Sequence, residues 1–360
     1  MPAMALELAS SEKGCLLLAD ITGYTQYMGE TELTHAQDVV ADLLETIVDS
    51  VEPVFQLSKL EGDAAFAYAE AHSTNPSMMM DTIESAYFAF QRRLRDIGHS
   101  TTCECNACIR IPDLDLKFFV HDGEFVKRHI ARSEELQGPD VILVHRLAKG
   151  TSGARIDKTA YAVYTKATLD SMAMDPTILG FLPHTEEFSD VGDVDVFIQD
   201  LSLRWTFEQE RNRDYITSAQ AVYETSFETG AAPASVWDHL TDPVKRPQWQ
   251  HSVNEVIAAT DGRRGTGSVN HCMHGKDVVI EHVSDWRPFS YLTLRYEVGE
   301  VKDWAWMYEL EQMDEGTRLT VRLSNPGEDV WADIKRNFVD SVDDQAKQLE
   351  MLLEADTVNR

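Results

Sequence analysis

Apolar and polar positions change period repeatedly along the chain, and each change marks an element. Residues 15–20 form an unbroken apolar run closed by Asp20 and followed by Thr22-Gly23-Tyr24-Thr25. Such a run predicts a strand buried on both faces that feeds a turn. From Leu33 to Val51, Val39, Val40, Leu43, Leu44, Ile47 and Val48 recur at helical spacing, and Pro53 marks the stop of an amphipathic helix. Two short apolar stretches, 54–58 and 64–69, flank Lys59-Leu60-Glu61-Gly62-Asp63, which predicts a hairpin with Gly62 and Asp63 at its tip. A second helix is expected over about 81–97 and a strand over 114–121. Residues 141–148 are apolar with one arginine, 158–170 read as strand then helix, and 194–207 as a closing strand. Strands alternating with helices predict an α/β or α+β domain.

The second half has a different rhythm. Residues 221–227 alternate like a strand, and 232–240 form a short helix with Pro233 in its first turn. Strand-like runs follow near 253–259, 268–274, 278–286, 291–297, 304–313 and 318–323. A long amphipathic helix over about 329–354 closes the chain with Val330, Ile334, Phe338, Val342, Leu349 and Leu352. The charged stretch 208–214 is the natural boundary. The expected organisation is one domain over 12–207, a linker over 208–218 and a second domain over 219–356, both of α+β class.

Charge narrows the partners. With 32 basic and 61 acidic residues the formal charge is −29, which argues against a nucleic-acid or anionic-membrane partner. No apolar run reaches the length of a spanning helix, and residues 1–13 lack the basic-then-apolar order of a signal peptide, so a cytoplasmic location is expected. Five cysteines in 360 residues are too few for a disulfide framework. Three crowd into Cys103-Glu104-Cys105-Asn106-Ala107-Cys108, with His99 four residues before them. Three thiolates and one imidazole suit a structural tetrahedral Zn²⁺; reduced loop thiols or a redox-responsive dithiol are the alternatives. Cys15 and Cys272 read as packing residues.

Two acids have the placement a metal site requires, Asp20 at the end of a buried strand and Asp63 at the tip of the hairpin. Mg²⁺ takes a couple of carboxylates together with phosphate oxygens, although solvated turn aspartates would look the same in isolation. The segment Leu18-Ala-Asp-Ile-Thr-Gly-Tyr-Thr25, followed by Lys59-Leu-Glu-Gly-Asp63, resembles the two metal-binding motifs of the class III nucleotide cyclases. Phe119-Val-His-Asp-Gly-Glu124 and Gly138-Pro-Asp-Val-Ile-Leu-Val-His-Arg-Leu147 are similar to that family's following segments. The resemblance covers about 12–205 and implies a ferredoxin-like cyclase domain. It further implies Mg²⁺ or Mn²⁺ held by Asp20, Asp63 and the Ile21 carbonyl, and a nucleoside triphosphate whose base is read by Lys59 and Glu135. Adenine, and hence ATP, is favoured by that pair. Arg146 would stabilise the phosphoryl transition state, and two copies of the chain would share the sites as a homodimer. In place of the family's ribose-positioning asparagine stands Ile142, which has no hydrogen-bonding group.

Residues 219–356 resemble the START-like superfamily, also called SRPBCC or polyketide cyclase-like, in Tyr223-Glu-Thr-Ser-Phe, Ala232-Pro-Ala-Ser-Val-Trp237, Trp249 and the closing helix. This implies a helix-grip fold with a cavity for an apolar or aromatic small molecule. Trp286, Trp304, Trp306, Tyr308, Met307 and Phe338 are the expected lining, together with the polar His271, His274 and His282. Two functions are thus expected to compete: a nucleotide cyclase tuned by an apolar ligand, and a catalytically inactive cyclase fold serving as sensor or scaffold.

Overall fold

The computed structural model describes residues 10–71, 73–100, 106–130, 133–210, 213–258, 265–298 and 301–358. The chain divides into two compact units, 1–210 and 211–360.

In the first unit, the strands are β1 (Glu12–Thr22), β2 (Gln56–Glu61), β3 (Ala64–Glu70), β4 (Asp115–Ile130), β5 (Ser133–Gln137), β6 (Tyr161–Thr165), β7 (Leu182–Phe188) and β8 (Gly192–Asp200). Their sheet order is β2-β3-β1-β4-β6-β8-β7, with β5 paired to β4. Among the described strand pairs only β4–β6 runs parallel. With helices Leu33–Val51 and Pro76–Ser100 between the first strands, β1 to β4 make the ferredoxin-like β-α-β-β-α-β arrangement. The continuous apolar run of β1 has a simple cause. Cys15, Leu17 and Ala19 join the core under those two helices, while Leu16 and Leu18 join a second core under the helix Pro139–Leu147. Both faces are covered, so no polar alternation is left.

Several boundaries differ from the sequence reading: the first hairpin strand lies at Gln56–Glu61, and the strand expected over 114–121 runs on to Ile130. The second helix begins at Pro76, because the Asn75 side chain accepts from the Met78 N–H at 3.0 Å and caps it, with proline at the first helical position. The stretch 194–207 is a strand only to Asp200. There the Asp200 carboxylate accepts the Leu203 N–H at 2.9 Å and starts the helix Leu201–Glu210.

The second unit is one antiparallel sheet, β9 (Tyr223–Thr229), β10 (Glu255–Ala258), β11 (Val269–His274), β12 (Asp277–Arg287), β13 (Tyr291–Val298), β14 (Val301–Met313) and β15 (Gly316–Leu323), ordered β10-β11-β12-β13-β14-β15-β9. The helix Glu328–Val358 lies on its inner face, with Val342, Leu349 and Leu353 in the core. On β14, alternation sends Trp304, Trp306, Tyr308 and Leu310 to that core, and Ala305 and Met307 to the opposite face. Met307 is therefore not a lining residue of the interior. Within the expected linker, residues 213–218 are ordered against that outer face. Asp214 accepts two hydrogen bonds from Arg295, at 2.6 and 2.7 Å, and Ile216 is buried with Tyr291, Ala305 and Met307.

Candidate nucleotide site and ligand interior

Asp20 sits near the end of β1, directly between Ala64 of β3 and Lys117 of β4. Asp63 occupies the tight turn from β2 to β3, which Gly62 makes at φ 70°. The Ile21 N–H donates to the Asp63 carbonyl at 3.1 Å and ties that turn to β1. The two predicted metal-binding acids are thereby brought together. Their proximity registers in the acid–base chemistry: burial, and then the charge of Asp20, push the Asp63 carboxyl above the usual aspartate range. Two carboxylates, both partly buried, one near the end of β1 and one in the adjoining turn, are a donor set suited to a hard divalent cation whose remaining ligands come from phosphate, carbonyl or water.

A third residue belongs to this cluster that the sequence reading missed. Lys117 Nζ lies 2.9 Å from Asp20 Oδ2, both side chains largely buried, and its charge also reaches Asp63. Only strand register reveals it, since nothing in the spacing of Lys117 marks it as a partner of Asp20.

Lys59 is aimed by a local irregularity. The β2–β3 register shifts between Leu57 and Lys59, so Lys59 rather than Ser58 stands opposite Phe66. Its ammonium lies 2.9 Å from Glu61 and 3.3 Å from Glu135 of β5, and the Glu61 hydrogen bond together with Glu135 raises its pKa. The two residues expected to read the base are thus in contact. Glu61 also meets His145 Nε2 at 2.8 Å, while His145 Nδ1 faces the Val141 carbonyl and its ring stands edge-on to Phe66. Ile142 and Arg146 lie one turn apart on the same helix. Ile142 is 56% exposed, and Arg146 is held by Asp190 at 2.6 Å on the surface.

The zinc expectation falls mainly on residues outside those described: Cys103 and Cys105 are not among them, nor is the side chain of His99. Cys108 is half-buried on the short helix Asn106–Ile109, which is fastened by Tyr27 Oη donating to the Ala107 carbonyl and Glu32 accepting the Ala107 N–H.

In the second unit the expected aromatic residues converge. Trp304 meets Trp306 at 5.4 Å and Phe338 at 4.8 Å, and Tyr308 meets Trp249 at 6.4 Å. Trp286 stands farther along β12 against Trp237 at 5.0 Å. Beside them lies a buried polar network that sequence patterning did not reveal. Arg246 makes two 2.6 Å hydrogen bonds to Glu281, and Asn270 donates to the same carboxylate at 2.7 Å. Burial pushes Glu281 up, but Arg246 and the hydrogen bonds from Arg246, Asn270 and Tyr296 outweigh it and hold the carboxyl below the usual range. The acid and the base come from segments 35 residues apart, which is why no local motif announced them. His271, His274 and His282 lie on β11 and β12 outside the aromatic cluster.

Comparison with known proteins agrees with this division. Residues 40–161 match the model of a protein family of unknown function, DUF2652, and residues 220–354 match the family described as polyketide cyclase / dehydrase and lipid transport. An uncharacterized protein of Mycobacterium tuberculosis (strain ATCC 25618 / H37Rv), Rv2561/Rv2562, is 30% identical over 164 residues, 45% of this chain and 74% of that protein. Among solved structures, the guanylyl cyclase Cya2 shows 14% identity and a TM-score of 0.40 over 53% of this chain and 92% of its own. The adenylyl cyclase CyaB from P. aeruginosa shows 13% identity and a TM-score of 0.40 over 54% and 96%.

Proposed function

We propose, for a chain that belongs to the family of the uncharacterized Mycobacterium tuberculosis protein Rv2561/Rv2562, that the first unit binds a nucleoside triphosphate with a divalent cation and converts it to a 3′,5′-cyclic nucleotide, and that the second binds an apolar small molecule that tunes this output. The observation carrying the first half is the convergence of Asp20 and Asp63, with Asp63 pushed up by burial and by its neighbour's charge. Two acids held together against their own repulsion favour a site completed by a cation.

Asp20, Asp63 and the Ile21 carbonyl would hold Mg²⁺ or Mn²⁺, which when bound neutralises phosphate charge and activates an attacking oxygen. The other roles belong to side chains. Glu135 accepts from an exocyclic amino group and Lys59 donates to a ring nitrogen, which favours ATP. Lys117 balances Asp20 in the unliganded chain, and a cation at Asp20 leaves the ammonium to a phosphate oxygen. Arg146 gives up little in leaving Asp190, because an exposed ion pair is weak, and its guanidinium suits the charge that develops as the ribose 3′-oxygen attacks the α-phosphorus and pyrophosphate departs. A homodimer that shares these groups is part of the same proposal.

One observation favours a second reading, a nucleotide sensor without turnover: the exposed Ile142, one turn from Arg146, offers ribose no hydrogen bond. Isothermal titration of ATP in Mg²⁺ or Mn²⁺, beside a turnover assay with all four nucleoside triphosphates, separates the two. Asp20→Ala should weaken metal-dependent ATP binding by about 10- to 100-fold, the worth of one charge-assisted contact. Unchanged metal-dependent affinity in that variant overturns the site, and binding without product selects the sensor.

A further inference from the structure

The inference here rests on the ligand-binding reading of the second unit and specifies what the occupant must carry. The helix Glu328–Val358 is seated unevenly on its sheet. Val342, Leu349 and Leu353 in its C-terminal part are at most 2% exposed, whereas Trp331, Ile334 and Phe338 nearer its N-terminus are only partly buried. Phe338 stands edge-on to Trp304 at 4.8 Å and to Trp306 at 6.2 Å, and Tyr296 stands edge-on to Trp306 at 5.2 Å. An apolar molecule lodged along this looser part of the seam would remove half-exposed aromatic and aliphatic surface from water.

Among the described residues, two of the three buried indoles here have an acceptor. Trp304 Nε1 donates to the Ser324 carbonyl at 2.8 Å and Trp249 Nε1 to the His239 carbonyl at 3.0 Å. The Arg246 guanidinium is satisfied by Glu281 and by Gln250 Oε1 at 3.1 Å. Trp306 is 8% exposed, and its Nε1 has no hydrogen-bond partner. Buried indoles ordinarily find an acceptor, because an unpaired donor in a dry interior is costly.

We propose that Trp306 Nε1–H is the polar anchor of the ligand site, and that the occupant is an apolar or aromatic molecule with a neutral hydrogen-bond acceptor, a carbonyl or ether oxygen, at its buried end. Neutrality follows from the charges nearby. The buried guanidinium of Arg246 is already matched in both hydrogen bonds by Glu281, so a carboxylate on the ligand would be desolvated without a free counter-charge.

The test uses the full chain and two probes of the same shape, 2-acetylnaphthalene, which accepts a hydrogen bond, and 2-isopropylnaphthalene, which cannot. Trp306→Phe should weaken the acetyl probe about tenfold, the worth of one hydrogen bond, and leave the isopropyl probe within about twofold. Comparing the change between probes cancels both their different hydrophobicities and the smaller ring of the variant. A second measurement needs no variant: the carbonyl stretch of bound 2-acetylnaphthalene should fall to lower wavenumber than in a hydrocarbon solvent. Equal weakening of both probes, or an unshifted stretch, overturns the anchor while leaving apolar binding in place. If neither probe binds the wild-type chain, the ligand-binding reading itself falls, and the anchor with it.

Discussion

Burial and the charge of Asp20 raise the Asp63 carboxyl, so folding favours its protonated form. The stabilisation is therefore fully present below the ordinary aspartate pKa and is lost as pH rises through the raised value. At neutral pH the ionised Asp63 is a liability to the empty fold and an asset to cation binding. Asp63→Asn should raise the thermal midpoint at pH 7 without divalent ions by no more than about 2 °C, water and Lys117 having already screened much of the repulsion. On the proposed site, millimolar Mn²⁺ should stabilise the wild type and leave this variant unchanged. Thermal scans with and without Mn²⁺ check both effects; a lower midpoint for Asp63→Asn in the absence of metal would mean that repulsion is not what raises this carboxyl. Mn²⁺ binding should also weaken on acidification at a higher pH than an ordinary aspartate would dictate. Asp20 and Asp63 were legible in the sequence because each closes a recognisable element. Lys117 was not, because its role comes from β1–β4 register alone.

At the scale of elements, the helix Pro139–Leu147 turns Val141, Val144 and Leu147 into the core and leaves Ile142 and Arg146 outward. The exposure of Ile142 means that the fold does not need its side chain. Isoleucine and asparagine also differ little in helix propensity, so Ile142→Asn should change stability by less than about 0.5 kcal/mol. If the cyclase reading holds, the amide restores a positioning contact and turnover rises by up to about a hundredfold. A fall in rate with an unchanged melting curve would place ribose against some other group. The same scale shows where periodicity fails. Long repeats, such as Leu33–Val51 and the closing helix, were readable because many turns repeat one face. The helix Leu201–Glu210 reads as strand in the sequence because it continues an apolar strand without a Gly or Pro break and starts on the single cap of Asp200. The Arg246–Glu281 pair illustrates the other limit: two charged residues buried together carry no hydrophobic signature.

For the molecule as a whole, the stretch expected to be a linker changes the mechanical argument. Helix Leu201–Glu210 ends the first unit, and from residue 213 the chain is strapped to the second unit's sheet, with Asp214 on Arg295, Thr293 Oγ1 donating to the Asp214 carbonyl at 2.6 Å and Ile216 N–H on the Met307 sulfur. Met307 and Trp306 are neighbours on β14 that face opposite sides. A ligand pressing on Trp306 would therefore act on a strand that anchors the strap, and the strap is covalently continuous with the first unit through residues 211 and 212. A ligand shifts that unit only if it binds two states of the chain with different affinity, and the coupling is then reciprocal. ATP with Mg²⁺ should change the affinity for 2-acetylnaphthalene by the same factor by which the probe changes ATP affinity, and typical coupling is about 5- to 150-fold. Asp214→Asn, which weakens the strap without changing a residue of either proposed site, should reduce that factor while leaving each affinity measured alone within about twofold. Equal probe affinities with and without nucleotide, measured on the intact chain, would make the two units independent binders on one polypeptide. A factor that survives Asp214→Asn would route the coupling elsewhere than through the strap.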